Sequence, residues 1–284
     1  MKATIDSGHA VRPRPRRRDR GVVMTALFLP LVGFAIALFV VAIGGGGGVL
    51  YVGVLSSWLH VAPDVAAATS LATLLPTTIM GAYSHWREGN VNVPLGRPML
   101  IAGMFGALAG SLLSDRLSPA VYRRLLAAVL VYALVQMIRS MLRKRRQRRL
   151  AATATAPVVD TPARASLWAA SIYGLLGGIL SGLTGLSGSA PIVAGLLALG
   201  CSPLEVAGTS LFALTGLSAV GFAVHLGLGH VDGRLALLLC VGTLTGSAIG
   251  PRLLRHIPKP KLEAVIGPLL MLIILAMTIS LIVH

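Results

Sequence analysis

Apolar stretches alternate with glycine-rich breaks and short polar loops along this chain, in an order that occurs twice. The first half has apolar stretches at 24–43, 49–59, 63–85, 98–113 and 119–138, and the second has them at 167–183, 190–199, 203–225, 235–250 and 262–283. A helix of about 20 residues crosses roughly 30 Å of hydrocarbon. The stretches 49–59 and 190–199 are too short to cross alone. The pattern predicts an all-α polytopic membrane protein.

The two halves are related by a constant spacing. Thr69-Ser70 and Thr209-Ser210 lie 140 positions apart (209 − 69), and the same spacing separates Pro63 from Pro203. We therefore predict two homologous repeats of about four transmembrane helices each, with a glycine-interrupted broken or re-entrant helix in each repeat. The predicted divisions are a basic leader 1–21, repeat one at 22–140, a basic linker 141–165 and repeat two at 166–284.

Composition and charge support a membrane protein. Of the 284 residues, 55% are hydrophobic and 12% are charged, against about 25% charged in soluble domains. The net charge is +16, but much of it lies in two basic tracts, at 12–20 and 139–149, beside apolar stretches. Such tracts stay on the cytoplasmic side and contact anionic lipid headgroups. We expect a multi-pass protein of a bacterial-type inner (plasma) membrane, with N-terminus and linker cytoplasmic, and no nucleic-acid partner.

The crossing count follows from where those tracts lie. If both are cytoplasmic, each half makes an even number of net crossings, which we interpret as four, and the halves are parallel. An odd number per half gives inverted repeats instead. With four crossings per half, the basic residues at 252–261 would lie on the external side of the membrane. With an odd number they would not, but one of the two stronger basic tracts would lie there instead.

Acidic residues are absent from the middle of the apolar stretches. All nine acidic residues fall in tails, loops or helix starts. Charged groups at membrane depth mark ion and proton pathways, so this distribution argues against a carboxylate-based cation exchanger. The two cysteines, Cys201 and Cys240, form no C-x-x-C pattern. With no nucleophile, acid–base pair or metal cluster evident, we expect no enzymatic activity, no metal and no cofactor.

The glycine breaks and neutral hydroxyls remain as candidate chemistry. A broken helix leaves backbone N–H groups without partners, and such ends attract anions. The predicted substrate-binding residues are Gly45, Gly46, Gly47, Thr69, Ser70, Gly185, Ser187, Gly188, Thr209 and Ser210. In the alternative interpretation the glycines serve helix packing and the hydroxyls bond to their own helix. His85 and His225 are candidates for gating or coupling, or are ordinary helix-end histidines.

These features together resemble a known family. The glycine-rich breaks, the Thr-Ser-Leu segments after Pro63 and Pro203, and the Gly/Ala-rich stretch after each polar loop are similar to the sulfite exporter TauE/SafE family of membrane transporter proteins. The resemblance implies a secondary permease or exporter for a small anion, such as sulfite or another sulfur-containing organic anion. The alternative function is a non-transporting membrane scaffold or assembly subunit. A homo-oligomer is compatible with either function.

Overall fold

The computed structural model describes residues 18–43, 45, 47–59, 61–118 and 166–254, parts of 120–139, and positions 275 and 279. Of the predicted divisions, the leader up to residue 17 and the linker lie outside the described residues. So does the predicted last stretch 262–283, apart from those two positions.

The described residues form helices and contain no strand, as the apolar pattern predicts. In chain order the helices are α1 (Arg18–Ile43), α2 (Gly47–Gly53, followed by a π-helical turn Val54–Trp58), α3 (Pro63–Arg87), α4 (Val93–Asp115), α5 (Leu167–Thr184), α6 (Ser189–Ala198), α7 (Pro203–Gly227) and α8 (Gly233–Leu254). By length and composition α3, α4, α5 and α7 can each cross a membrane. The predicted breaks separate α1 from α2 and α5 from α6, and both helices that follow a break are short.

Local sequence explains where the long helices begin. Pro63 and Pro203 occupy the first turns of α3 and α7, where a missing backbone N–H costs nothing. Ser202 and Glu205 form a capping box before α7: the Ser202 hydroxyl accepts from the Glu205 N–H, and the Glu205 carboxylate accepts from the Ser202 N–H. The side chain of Asn92 caps α4 by accepting from the N–H of Leu95.

Glycine faces hold the long helices close together. The facing glycines between α4 and α5 are Gly103, Gly106, Gly110, Gly174, Gly178 and Gly182. A methyl group on Gly178 would collide with the carbonyl oxygen of Gly103. Between α1 and α8, a methyl group on Gly246 would lie 2.6 Å from the carbonyl oxygen of Phe34. The Gly/Ala-rich stretch 98–113 thus forms a helix–helix contact through its small residues.

Helices at matching positions in the two halves run in opposite directions. Gly81 of α3 meets Leu211 of α7, and Gly221 of α7 meets Leu71 of α3, so α3 and α7 are antiparallel. By the same reasoning, the glycine contacts make α4 parallel to α5 and α1 parallel to α8. Because each loop between α3 and α4 and between α7 and α8 reverses the chain, α1 and α5 also oppose each other. The expectation of parallel halves is therefore wrong for the described helices.

The antiparallel α3–α7 pair defines two ends of the bundle. We call the end where α3 finishes and α7 starts the Asn92 end; it contains His85, Asn90, Asn92 and Thr209. We call the opposite end the His225 end; it contains Asp64, Asp115, His225 and His230. The starts of α1 and α5 lie at opposite ends as well, which does not fit a leader and linker on one side of the membrane. The two tracts themselves lie wholly or largely outside the described residues, so their side stays a prediction.

Candidate functional site

The two helix breaks lie against each other. A methyl group on Gly45, in the first break, would come within 2.9 Å of the Cβ of Ser189, at the start of α6. One on Gly48 would come within 2.6 Å of the backbone nitrogen of Ser187. Gly47 faces inward too, against the side chain of Val40. Of the predicted glycines only Gly46 lies outside the described residues. The breaks thus bring irregular backbone from two distant parts of the chain into contact.

Backbone geometry explains the sequence of the second break. Gly185, Ser187 and Gly188 adopt left-handed conformations with φ of 67°, 69° and 57°. A side chain on Gly188 would also collide with the carbonyl oxygen of Gly177. Glycine at 185 and 188 is therefore required by conformation and packing, whatever else the break does.

Some of the donors at the second break are already used. The N–H of Gly185 donates to the carbonyl of Ser181 at 2.8 Å, which ends α5. The N–H of Leu186 donates to the hydroxyl of Thr184 at 3.3 Å. An anion at this break would consequently depend on side-chain hydroxyls as well as on backbone donors.

The first Thr-Ser pair lies beside the breaks. The Ser70 hydroxyl donates to the carbonyl of Gly185 at 2.9 Å, and the carbonyl of Gly48 lies at 3.5 Å from the same oxygen. Ser70 therefore contacts both breaks. The Thr69 hydroxyl is fully buried and has no hydrogen-bond partner among the described residues. An unpaired buried hydroxyl is costly, about 1–3 kcal/mol, and calls for an explanation.

The second Thr-Ser pair has different partners. The Thr209 hydroxyl accepts the N–H of Asn92 at 2.8 Å, and the Ser210 hydroxyl donates to the carbonyl of Ala207 in its own helix. Leu71 lies level with Gly221, so Ser70 and Ser210 are about twelve residues apart along the α3–α7 pair, or roughly 18 Å. The structure therefore does not bring the two pairs together into one group of donors.

Two further hydroxyls were not predicted. Ser181 of α5 and Ser218 of α7 are fully buried, and neither has a partner among the described residues. Ser181 lies one turn before Gly185. A polar residue one turn ahead of a glycine break is the sequence signal that would have identified it.

The candidate histidines differ in their surroundings. His85 is half-buried near the end of α3. His225 is fully buried near the end of α7, where its Nε2 lies 3.1 Å from the carbonyl oxygen of Gly182 and its Nδ1 lies 3.5 Å from Nδ1 of His230. His230 Nε2 lies 3.6 Å from a carboxylate oxygen of Asp115. His225 is thus the inner end of a chain of polar groups.

Comparison with known proteins gives a consistent result. The profile of the family described as "Sulfite exporter TauE/SafE" matches residues 29–277. The "Probable membrane transporter protein YdhB" of Bacillus subtilis (strain 168) is 30% identical over 247 residues, covering 84% of this chain and 95% of that protein. The "Probable membrane transporter protein y4hK" of Sinorhizobium fredii is 32% identical over 57% of this chain and 64% of its own length. No solved structure matches the chain at a significant level.

Proposed function

The chain belongs to the sulfite exporter TauE/SafE family of membrane transporters, and from that premise we propose that it moves a small anion through a site at its two paired helix breaks. Sulfite or another sulfur-containing organic anion is the proposed substrate class. The non-transporting scaffold is not favoured, because the family profile and a relative named as a probable membrane transporter protein both align with most of the chain. Membership of a transporter family also suggests that the chain is not an enzyme.

The proposed architecture is a pair of inverted repeats, with the site between them. Its support is the opposite direction of α3 and α7, which have equal lengths of 25 residues and begin at Pro63 and Pro203. Inverted repeats with interrupted helices near the midplane are the common plan of secondary transporters. Rocking of one repeat against the other would open the breaks to alternate sides.

The observation that carries the anion proposal is the group of buried hydroxyls at the second break. Ser181 lies one turn before Gly185, on the face of α5 whose Gly177 meets Gly188, and its buried hydroxyl has no partner among the described residues. The Ser70 hydroxyl lies 2.9 Å from the Gly185 carbonyl. A hydroxyl can donate one hydrogen bond, and so can each free N–H of an irregular backbone segment. Such neutral donors suit a small oxyanion, whose negative charge strengthens the bonds it accepts. An oxyanion would supply the partner that the Ser181 hydroxyl lacks.

Uptake of labelled sulfite, thiosulfate and a sulfonate into liposomes containing the purified protein tests this proposal. The informative variant is Ser181→Ala, which removes the unpaired hydroxyl with little change in side-chain volume. We expect anion uptake to fall about tenfold, as for the loss of one hydrogen bond to a charged group. Thermal stability should stay the same or rise, because the substitution removes a buried hydroxyl that has no described hydrogen-bond partner.

Thr245→Val is the matched control. Thr245 is exposed on α8, and its hydroxyl bonds only to carbonyls of its own helix. This variant should transport like the wild type. Unchanged uptake in Ser181→Ala would contradict the proposed site. Folded wild-type protein that moves none of the three anions would contradict the proposed substrate class.

A further inference from the structure

Three side chains at the His225 end form a line from the surface of the protein to its interior. Asp115 is 45% exposed, His230 is 22% exposed and His225 is fully buried. The line ends at the carbonyl of Gly182, three residues before the break at Gly185. It therefore leads from the surface to the neighbourhood of the proposed anion site.

The hydrogen positions in this line follow from its partners. The Gly182 carbonyl can only accept, so Nε2 of His225 carries a hydrogen. The Nδ1 atoms of His225 and His230 lie 3.5 Å apart, at the outer limit of a hydrogen bond, and one hydrogen between them makes the contact favourable. The 3.6 Å contact between Nε2 of His230 and the Asp115 carboxylate is longer than a hydrogen bond and becomes an ion pair when His230 is protonated.

One additional proton on the two histidines makes all three contacts favourable. Two neutral imidazoles carry one N–H each, whereas a protonated His230 presents its charge to Asp115 and an Nδ1 hydrogen to His225, which keeps its own Nε2 hydrogen for the Gly182 carbonyl. With both rings neutral, the ion pair with Asp115 is absent. With both rings fully protonated, the facing Nδ1 atoms would repel each other.

The additional proton can reside on either ring without a change of partner. When the hydrogen between the Nδ1 atoms is bonded to His230, the positive charge is at the partly exposed position. When it moves to Nδ1 of His225, the charge is at the buried position and all three contacts persist. The proton comes from water at the exposed end of the line, beside Asp115, and it binds to His230. The transfer thus delivers one positive charge towards the second break.

From this geometry we propose that His225 and His230 form a proton-binding site, loaded past Asp115, that couples anion movement to proton movement. The coupling part rests on the proposed function; the proton site does not. Burial opposes a positive charge on His225, and the carboxylates of Asp64, at the start of α3, and Asp115, at the end of α4, favour it. Among the described residues no three potential ligands group around a metal position, which favours a proton over a metal ion.

The opposite end of the bundle provides the comparison. The position that matches His230, 140 residues earlier, is Asn90 (230 − 140), which cannot bind a proton at ordinary pH. A pair of histidines at these two matching positions is therefore found at the His225 end, whereas the Asn92 end has His85 with Asn90. A proton-binding site at one end would make the two ends of the protein chemically different, and so could set the direction of transport.

Proton binding is tested first without transport. Protein with nitrogen-15 histidine in lipid nanodiscs reports the protonation of each ring, and the variants His225→Asn and His230→Asn assign the signals. We expect His225 to hold its Nε2 hydrogen throughout and to share one titrating proton with His230. In His230→Asn, His225 should stay neutral across the pH range. A His225 that never takes up a proton while the wild type is folded, or that titrates identically in His230→Asn, would overturn the proposal.

Coupling is then tested by anion uptake with and without a pH gradient. We expect the gradient to change wild-type uptake about tenfold, a typical coupling, and His230→Asn to lose that response while exchange at equal pH stays within about twofold. Asn90→Ala, the matched change at the Asn92 end, should keep the response. An equal gradient response in His230→Asn would refute coupling. If the wild type moves no anion, the transport proposal fails, and the nanodisc titration alone decides the proton site.

Discussion

The two ends of the α3–α7 pair share a sequence register but are closed by different interactions. At the Asn92 end the loop after α3 packs directly on α7: the carbonyl of Asn90 lies against Gly208, and the N–H of Asn92 donates to Thr209. At the His225 end the corresponding loop contacts α7 through the His230–His225 pair, and the Thr69 hydroxyl has no partner among the described residues.

The difference also appears in the residue before each Thr-Ser pair. Gly208 has no room for a methyl group, whereas Ala68, the matching residue on α3, carries one and is fully buried. The loop at the Asn92 end is therefore held on α7 by close backbone packing, whereas the loop after α7 places His230 against His225 of its own helix.

The largest expected effect comes from Gly208→Ala. Its new methyl group would collide with the carbonyl oxygen of Asn90, and the loop or α7 would have to shift. We expect the free energy of unfolding in detergent to fall by about 1–3 kcal/mol. Gly227→Ala, in the same helix with nothing within 4 Å, should change it by less than about 1 kcal/mol. Equal effects of the two substitutions would show that the Asn92 loop is not tightly packed.

Matched substitutions in the two Thr-Ser pairs sharpen the comparison. Thr209→Val leaves the N–H of Asn92 without its acceptor and should destabilise the protein by about 1–2 kcal/mol. Thr69→Val should be neutral or slightly stabilising, because the hydroxyl it removes has no described partner. Denaturant unfolding of both variants measures the difference. If Thr69→Val cost as much as Thr209→Val, the contrast between the ends would be lost.

A smaller effect is expected from Ser70→Ala. The substitution removes the hydrogen bond to the carbonyl of Gly185, which joins α3 to the second break, and should cost about 1 kcal/mol. Local opening at the break should also become more frequent, which faster amide hydrogen exchange at residues 185–188 would report. Thr215→Val is the control, because the Thr215 hydroxyl bonds only within its own helix. Identical exchange at the break in both variants would indicate that Ser70 does not hold the break.

Sequence reasoning identified most of the elements because membrane helices follow directly from apolar length. The breaks after Ile43 and Thr184, the short helices that follow them, and the helix starts at Pro63 and Pro203 were all predicted. The buried hydroxyls of Ser181 and Ser218 were missed for different reasons. Ser181 stands one turn before the glycine break, a signal that was not used, whereas Ser218 is an isolated serine in an apolar helix, which gives no sign of whether it has a partner.

The direction of the helices was where sequence reasoning failed. The basic tracts at 12–20 and 139–149 favoured parallel halves, but α3 and α7 are antiparallel. Charge tracts influence insertion only through the loops beside them. Helix direction in the folded chain follows from which glycine faces fit together. The predicted site residues remain a prediction, since their contacts alone do not distinguish ligand binding from packing.

The sequence by itself determined the apolar helices, their interruptions and the 140-residue register, because hydrocarbon thickness and backbone hydrogen bonding act on each segment separately. Only the tertiary structure decided that the breaks meet, that Ser70 contacts both, and that His225, His230 and Asp115 form one line. Two of these contacts join residues 43 and 115 positions apart, and their geometry depends on how whole helices pack. Residues at matching positions of the 140-residue register, such as Ser70 and Ser210, therefore have different partners because the helices around them pack differently.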